Sequence, residues 1–288
     1  MRHNRLASML SGVAAALALV MGAPSAAFAG SIFLTGHDPD FHASLGGNLT
    51  GARNINTTAI GFVMDSGFNP FVATAPKFLF VESTIAPPPG HTVGKNGIIA
   101  SGYTEGTNFD AANASTLNSA LSSLGVAGGY SAIVVASDFG GILTQAELDI
   151  LNARSADIIA FLNNGGGLYA MAESDSGAGL TPNGGFFHYL PFIVTSAQLN
   201  QSEIGNTVTA FGASLGLTNN DVNGNASHNI FAGTGGMNVV DVDAQGNILS
   251  LAVRAQITQG GVVPEPGSLA LLAVGLAGLG FARRRALV

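Results

Sequence analysis

The chain has no cysteine. Thiol catalysis, thiolate metal sites and disulfide stapling are all excluded. A domain of this size needs no disulfide when its apolar core is large enough. Charge is the next scarcity, with Asp, Glu, Lys and Arg making up 9% of the 288 residues. Basic residues are the scarcer sign. Once the terminal segments with Arg2, Arg5, Glu265 and Arg283–Arg285 are set aside, the body keeps 5 basic against 16 acidic residues, a net charge of −11. Such a body is a poor partner for nucleic acid or for an anionic membrane surface. Low charge does not mean disorder here, because apolar runs recur throughout, with Gly, Asn, Ser and Thr between them.

Both ends read as targeting segments. "MRHNR" is basic, "LASMLSGVAAALALVMGA" is apolar, and "PSAAFAG" offers small residues at Ala27 and Ala29. That order is a secretory signal peptide over residues 1–29, cut after Ala29 by signal peptidase. At the other end, Gly267 to Ala282 is uncharged and is followed by Arg283, Arg284 and Arg285. As a helix it spans about 24 Å, against roughly 30 Å of hydrocarbon. It crosses if the arginines snorkel, and the positive-inside rule keeps them cytoplasmic. A helix packed on the domain would need a polar face, which this segment lacks. "VPEPGSLALLAVGLAGLGFARRR" resembles a PEP-CTERM sorting signal, with Pro264, Glu265 and Pro266 as its motif. The resemblance implies an exosortase as processing partner. It also implies transient anchoring in the inner membrane and delivery to the envelope or exopolysaccharide of a Gram-negative bacterium. The expected organisation is signal peptide 1–29, body 30–260 and sorting signal 261–288.

The body of about 230 residues is enough for one well-buried domain, and no internal repeat is visible. "KFLFVES", "YSAIVVASD" and "GGLYAMAES" are continuous apolar runs of the kind found in strands buried on both faces. "ARNINTTAIGFVMDSG" predicts a helix through Ile55, Ala59, Phe62 and Val63, and "TLNSALSSLG" is helix-like. "AELDILNARSADIIAFLNN" predicts a longer helix, opened by the Thr144/Glu147 capping box and ended at Gly165. Leu148, Leu151, Ile158 and Leu162 form its apolar face. "MNVVDVDAQGNILSLAVRAQ" predicts two strands around a tight turn at Gly246. Apolar strands alternating with helices predict a three-layer, flavodoxin-like open α/β sheet, mostly parallel, with a late antiparallel hairpin. Ligands of such sheets bind beyond the carboxyl ends of strands. That rule selects "GHDPDFH", "SDFGG" and "ESDSGAG".

"YSAIVVASDFGGILTQAELDILNARSADIIAFLNNGGGLYAMAES" resembles the class I glutamine amidotransferase-like superfamily, including its ThuA-like members. In that superfamily the strand after the glycine run presents a nucleophilic cysteine. The matching position here is Ala172. The resemblance implies the fold and, lacking the nucleophile, excludes a glutaminase. "SHNIF" is similar to a His-containing late loop of the ThuA-like members.

Several polar groups are candidates for the site. His37, Asp38, Asp40 and His42 lie within six residues, and with Asp138 they form the expected ligand-binding set. Imidazole and carboxylate together suit a divalent metal, but neighbouring residues in a Pro39-stiffened turn rarely aim at one centre. No metal or other cofactor is expected. The same Asp residues also suit turn or helix capping. Ser137, Asp138, Ser174, Asp175 and His228 have the residue types of a hydrolase triad, with Gly140 and Gly141 as possible amide donors. No Gly-x-Ser-x-Gly elbow accompanies them. Glu173 suits a general acid or base, with His228 as the second weak catalytic candidate. "DVDAQGN" and "DVNGN" read as turns rather than calcium loops. Asn48, Asn56, Asn113 and Asn225 fit the glycosylation pattern by chance. His188 is expected to pack among aromatics that could wall a sugar pocket. The function expected is an exported, non-catalytic binding module of the envelope or its polysaccharide. The alternative is a ThuA-like or hydrolytic enzyme on a carbohydrate-like ligand. Convergence of His37, Glu173 and His228 in a pocket would favour the enzyme.

Overall fold

The computed structural model describes residues 29–83, 92–138, 142–174, 180–192, 194–199 and 203–264. All belong to one unit spanning Phe28–Gly267. The segments expected to be a signal peptide and a sorting signal with its apolar tail helix lie outside the described residues, apart from Ala29 and Gly261–Pro264 at their inner ends. Among the described residues no helix is long and apolar enough to cross a membrane.

The strands are β1 (Gly30–Thr35), β2 (Lys77–Val81), β3 (Phe109–Ala112), β4 (Tyr130–Val135), β5 (Gly167–Ala170), β6 (Ser196–Gln198), β7 (Thr207–Val208), β8 (Asn229–Phe231), β9 (Asn238–Val242), β10 (Ile248–Thr258) and β11 (Gly261–Pro264). The helices are α1 (Pro39–His42), α2 (Leu49–Val63), α3 (Lys95–Ala100), α4 (Leu117–Ala120), α5 (Gln145–Ala153), α6 (Ser155–Asn163) and α7 (Ala210–Ser214).

The sheet runs β3-β2-β4-β5-β1-β10-β8-β6, with β11 and β9 also on β10 and β7 on β9. The five strands from β3 to β1 are parallel. From β1 to β10 onward the pairing is antiparallel. The mixed α/β sheet expected from the sequence is present, and its antiparallel part is larger than one hairpin. Counted from β2, the parallel strands follow the 2-1-3-4 of a flavodoxin order, and the N-terminal strand β1 occupies the fifth place.

Side-chain alternation places the helices. A Cβ on Gly167 would meet Val63 of α2, whereas one on Gly30 would meet Leu162 of α6. Gly167 pairs with Ser31, the neighbour of Gly30. Successive strand residues point to opposite faces, so α2 and α6 lie on opposite faces of the sheet. Phe33, Phe62 and Tyr169 pack edge to face on the α2 side, and the Tyr169 hydroxyl donates to Asn56 Oδ1 at 3.1 Å. The strand cores of β1, β2, β4 and β5 are almost completely buried, as continuous apolar runs require.

The capping box forms, with the Thr144 N–H and hydroxyl both donating to Glu147 Oε2. The single helix expected after it is two helices, broken at Arg154 (φ −97°, ψ 14°). Leu148, Leu151, Ile158 and Leu162 are all buried. Both helices turn their apolar faces to the same core, so periodicity carried no sign of the break. Gly165 and Gly246 have the positive φ their turns require, 95° and 84°. The sheet also continues past the expected body boundary at 260, through β11 to Pro264.

Candidate functional site

The polar residues selected by the strand-end rule gather where β1, β2, β4 and β5 end. Chain entry from β1 is tight. Gly36 lies so close to β8 that a Cβ would sit 1.9 Å from the Asn229 carbonyl oxygen. The His228 N–H donates to the Gly36 carbonyl at 2.7 Å, and His37 bridges Ser227. The Ala172 N–H donates to the His37 carbonyl, and the Asp138 N–H donates to the Ala172 carbonyl at 2.8 Å. Backbone bonds thus stitch the three selected loops together.

His37 is held at both ring nitrogens. Nε2 is 2.8 Å from Asp241 Oδ2, and Nδ1 is 2.8 Å from Ser227 Oγ. This hydroxyl–imidazole–carboxylate chain has the order of a hydrolase relay. Its members are inaccessible, with Ser227 and Asp241 at 0% exposure and His37 at 2%. No substrate carbonyl can reach that hydroxyl, so the chain acts as an internal tie.

Asp38 sits at the N-cap of α1 without capping it. Its carboxylate instead lies between two imidazoles, His42 Nε2 at 3.4 Å and His228 Nε2 at 3.1 Å. His42 is the outermost of the group, its side chain 13% exposed. Asp40 turns toward β4. It accepts from the Ser137 N–H at 2.9 Å, the Ser137 hydroxyl at 2.7 Å and the Phe41 N–H at 3.1 Å. Burial raises its pKa to about 7, helped by the Asp38 charge and opposed by the hydrogen bonds from Ser137 and Phe41.

Glu173, just past β5, is fully buried. It accepts from the Phe187 N–H at 2.6 Å and from the Tyr189 hydroxyl. Burial pushes its pKa up to about 8, against these two donors and with the Asp138 charge adding. The candidate general acid is therefore spent on pinning the 186–190 segment. Ser174 Oγ lies 2.6 Å from Ser196 Oγ. Asp175, Gly140 and Gly141 lie outside the described residues.

Glu82, at the end of β2, belongs to the same cluster and was missed in the sequence. Its Oε2 accepts from the Lys95 N–H at 3.1 Å, whereas Oε1 is buried without a partner among the described residues. Burial raises its pKa to about 7, the Lys95 hydrogen bond and charge opposing, with Asp40 and Glu105 adding. The signal was legible, since "KFLFVES" ends in this residue and the strand-end rule applies to β2 as well. Ser227 and Asp241 had no such signal, standing 190 and 204 positions from His37.

Two surface hollows include none of these residues. One of about 210 Å³ is lined by Ser155, Ile159, His188, Leu190, Pro191, Phe192 and Gln259. Contrary to expectation, His188 is exposed rather than packed, because Phe187 and Tyr189 on either side of it take the buried positions. The other hollow, about 370 Å³, lies around Phe71, Arg154 and Phe161. No group of three or more His, Asp or Glu side chains among the described residues is arranged to hold a metal ion. Asp243 accepts from Gln245 and Asn247 within its own turn. Asp221 accepts from Thr218 and Asn54. Asn48 and Asn225 bond each other reciprocally, and Asn56 bonds the Pro39 carbonyl.

Residues 262–285 match the PEP-CTERM protein-sorting motif. No curated protein matches the chain. The sorting motif indicates an exported, envelope-targeted protein with exosortase as its processing partner.

Proposed function

We propose that this is an exported protein whose tail is an exosortase tag and whose body is a non-catalytic binding module of the cell envelope or its polysaccharide matrix. The observation that carries the second half is the fate of the three test residues. His37 is spent on Ser227 and Asp241, His228 on Asp38, and Glu173 on Phe187 and Tyr189. A general acid or base needs reach to a substrate proton; these groups are turned inward instead.

In this reading the apolar tail anchors the precursor in the inner membrane before processing. The body is a three-layer relative of the flavodoxin-like and amidotransferase-like sheets, with Ala172 where a nucleophile would stand. The parallel order of β3, β2, β4 and β5 and helices on both faces support that kinship. Of the ligand-binding set, His42 meets the ligand, while His37, Asp38, Asp40 and Asp138 shape the wall behind it.

The test uses purified mature protein and polysaccharide from the native host. The proposal expects retention of protein on the polymer with no change in polymer length. Release of new reducing ends, lost in Glu173→Gln or His228→Ala, would instead establish the enzyme.

A further inference from the structure

The match to the sorting motif begins at Val262, and Val262 is already part of the folded body. Strand β11 pairs with β10 through Thr258↔Gly261, Ile257↔Val262, Gln256↔Val263 and Ala255↔Pro264. The turn is locked by the Thr258 hydroxyl donating to the Gly261 carbonyl at 2.8 Å. On its other side the Val262 N–H donates to the Gly235 carbonyl at 3.0 Å. The Val262 side chain is 8% exposed and belongs to the core. A Cβ on Gly236 would sit 2.9 Å from Val262 Cγ2, so glycine there allows the close seat. Gly261, at φ 127°, supplies a backbone conformation that other residues rarely adopt.

No spacer therefore separates body from motif. The first proline of Pro264-Glu265-Pro266 is itself a strand residue. It lies opposite Ala255, whose other neighbour is Gly30, the first residue of the expected mature chain. An enzyme that reads an extended motif by strand addition needs a free backbone edge, and here β10 holds one edge of Gly261–Pro264 while the Gly235 carbonyl takes the Val262 N–H on the other.

We propose that the β10–β11 hairpin is a clamp on the sorting signal: exosortase reads the motif only after β11 leaves the sheet, so the strength of this hairpin sets the rate of tail processing. The inference rests on the exosortase reading above.

The test follows loss of the Arg283–Arg285 end by pulse-chase in the native host, using the full chain. Val262→Asp places a charge in a buried seat and should loosen β11, with a thermal melt checking that the body stays folded. A second variant leaves β11 intact. About twelve Gly/Ser residues, reaching roughly 20 Å, are inserted after Pro264 and followed by a second Val-Val-Pro, so that a complete motif stands free of the sheet. Processing several-fold faster than wild type in the spacer variant supports the clamp, and faster processing of a folded Val262→Asp supports it again. An unchanged or slower rate in the spacer variant overturns the clamp, whatever Val262→Asp does. Absence of processing in every chain, wild type included, overturns the exosortase reading itself.

Discussion

Replacing Glu173 with Gln should change how stability depends on pH. Glu173 is protonated in the fold up to about pH 8, whereas an ordinary glutamate titrates near 4.5. Between those values the folded protein holds a proton that the unfolded chain has released. Unfolding then releases a proton, so stability falls as pH rises across that window and is level beyond it. One such group contributes a slope of about 1.4 kcal/mol per pH unit, and on the order of 5 kcal/mol across the window. Asp40 and Glu82, both raised to about 7, act with the same sign. Wild type should therefore be more stable at pH 5.5 than at pH 8. At pH 5.5 the neutral acid and the Gln amide each offer one carbonyl oxygen to the Phe187 N–H and one donor to the Tyr189 hydroxyl, so the two proteins should be of similar stability there. The slope of the variant should be shallower by roughly 1.4 kcal/mol per unit, so that it becomes the more stable protein toward pH 8. Urea melts at pH 5.5, 6.5, 7.5 and 8.5 measure both slopes. Wild-type stability that is flat or rises through the window, or parallel slopes for the two proteins, would refute the reasoning.

Two further outcomes test the fold. Thr144→Ala loses the hydroxyl bond of the capping box and should cost about 1 kcal/mol, whereas Leu151→Ala, at 0% exposure, should cost roughly 2–5 kcal/mol; the opposite ranking in denaturant melts would contradict the placement of α5. Gly36→Ala puts a Cβ 1.9 Å from a backbone oxygen of Asn229 and should cost about 3 kcal/mol or more, read as a lowered melting temperature of the purified body.

What was legible in the sequence followed from local chemistry. β2, β4 and β5 announced themselves because a strand buried on both faces must be apolar throughout. Thr144, Glu147 and Gly165 marked the ends of the α5–α6 segment because caps use few residue types. β3, β6, β7 and β8 were not legible. "FDAA" and "SAQ" are short and partly exposed at the sheet's two edges, and their pairing is decided by neighbours distant in sequence. The place of β1 was equally hidden, since its partners β5 and β10 lie more than a hundred residues away. At the site, the strand-end rule selected "GHDPDFH", "SDFGG" and "ESDSGAG"; among the described residues, Ser137 past β4 bonds Asp40, and Ala172 past β5 bonds His37. The rule did not say that the groups would satisfy one another. That depends on Ser227, Asp241 and Tyr189, which no spacing connects to His37 or Glu173.

The central claim is export followed by removal of the tail, and intact-mass spectrometry of the protein from its native host tests it most directly. The account predicts a chain that begins at Gly30 and lacks Arg283, Arg284 and Arg285, while a variant with Pro264-Glu265-Pro266 replaced keeps the arginine end and stays with the membrane. A native-host mass that includes both the first 29 residues and the arginine end would contradict it.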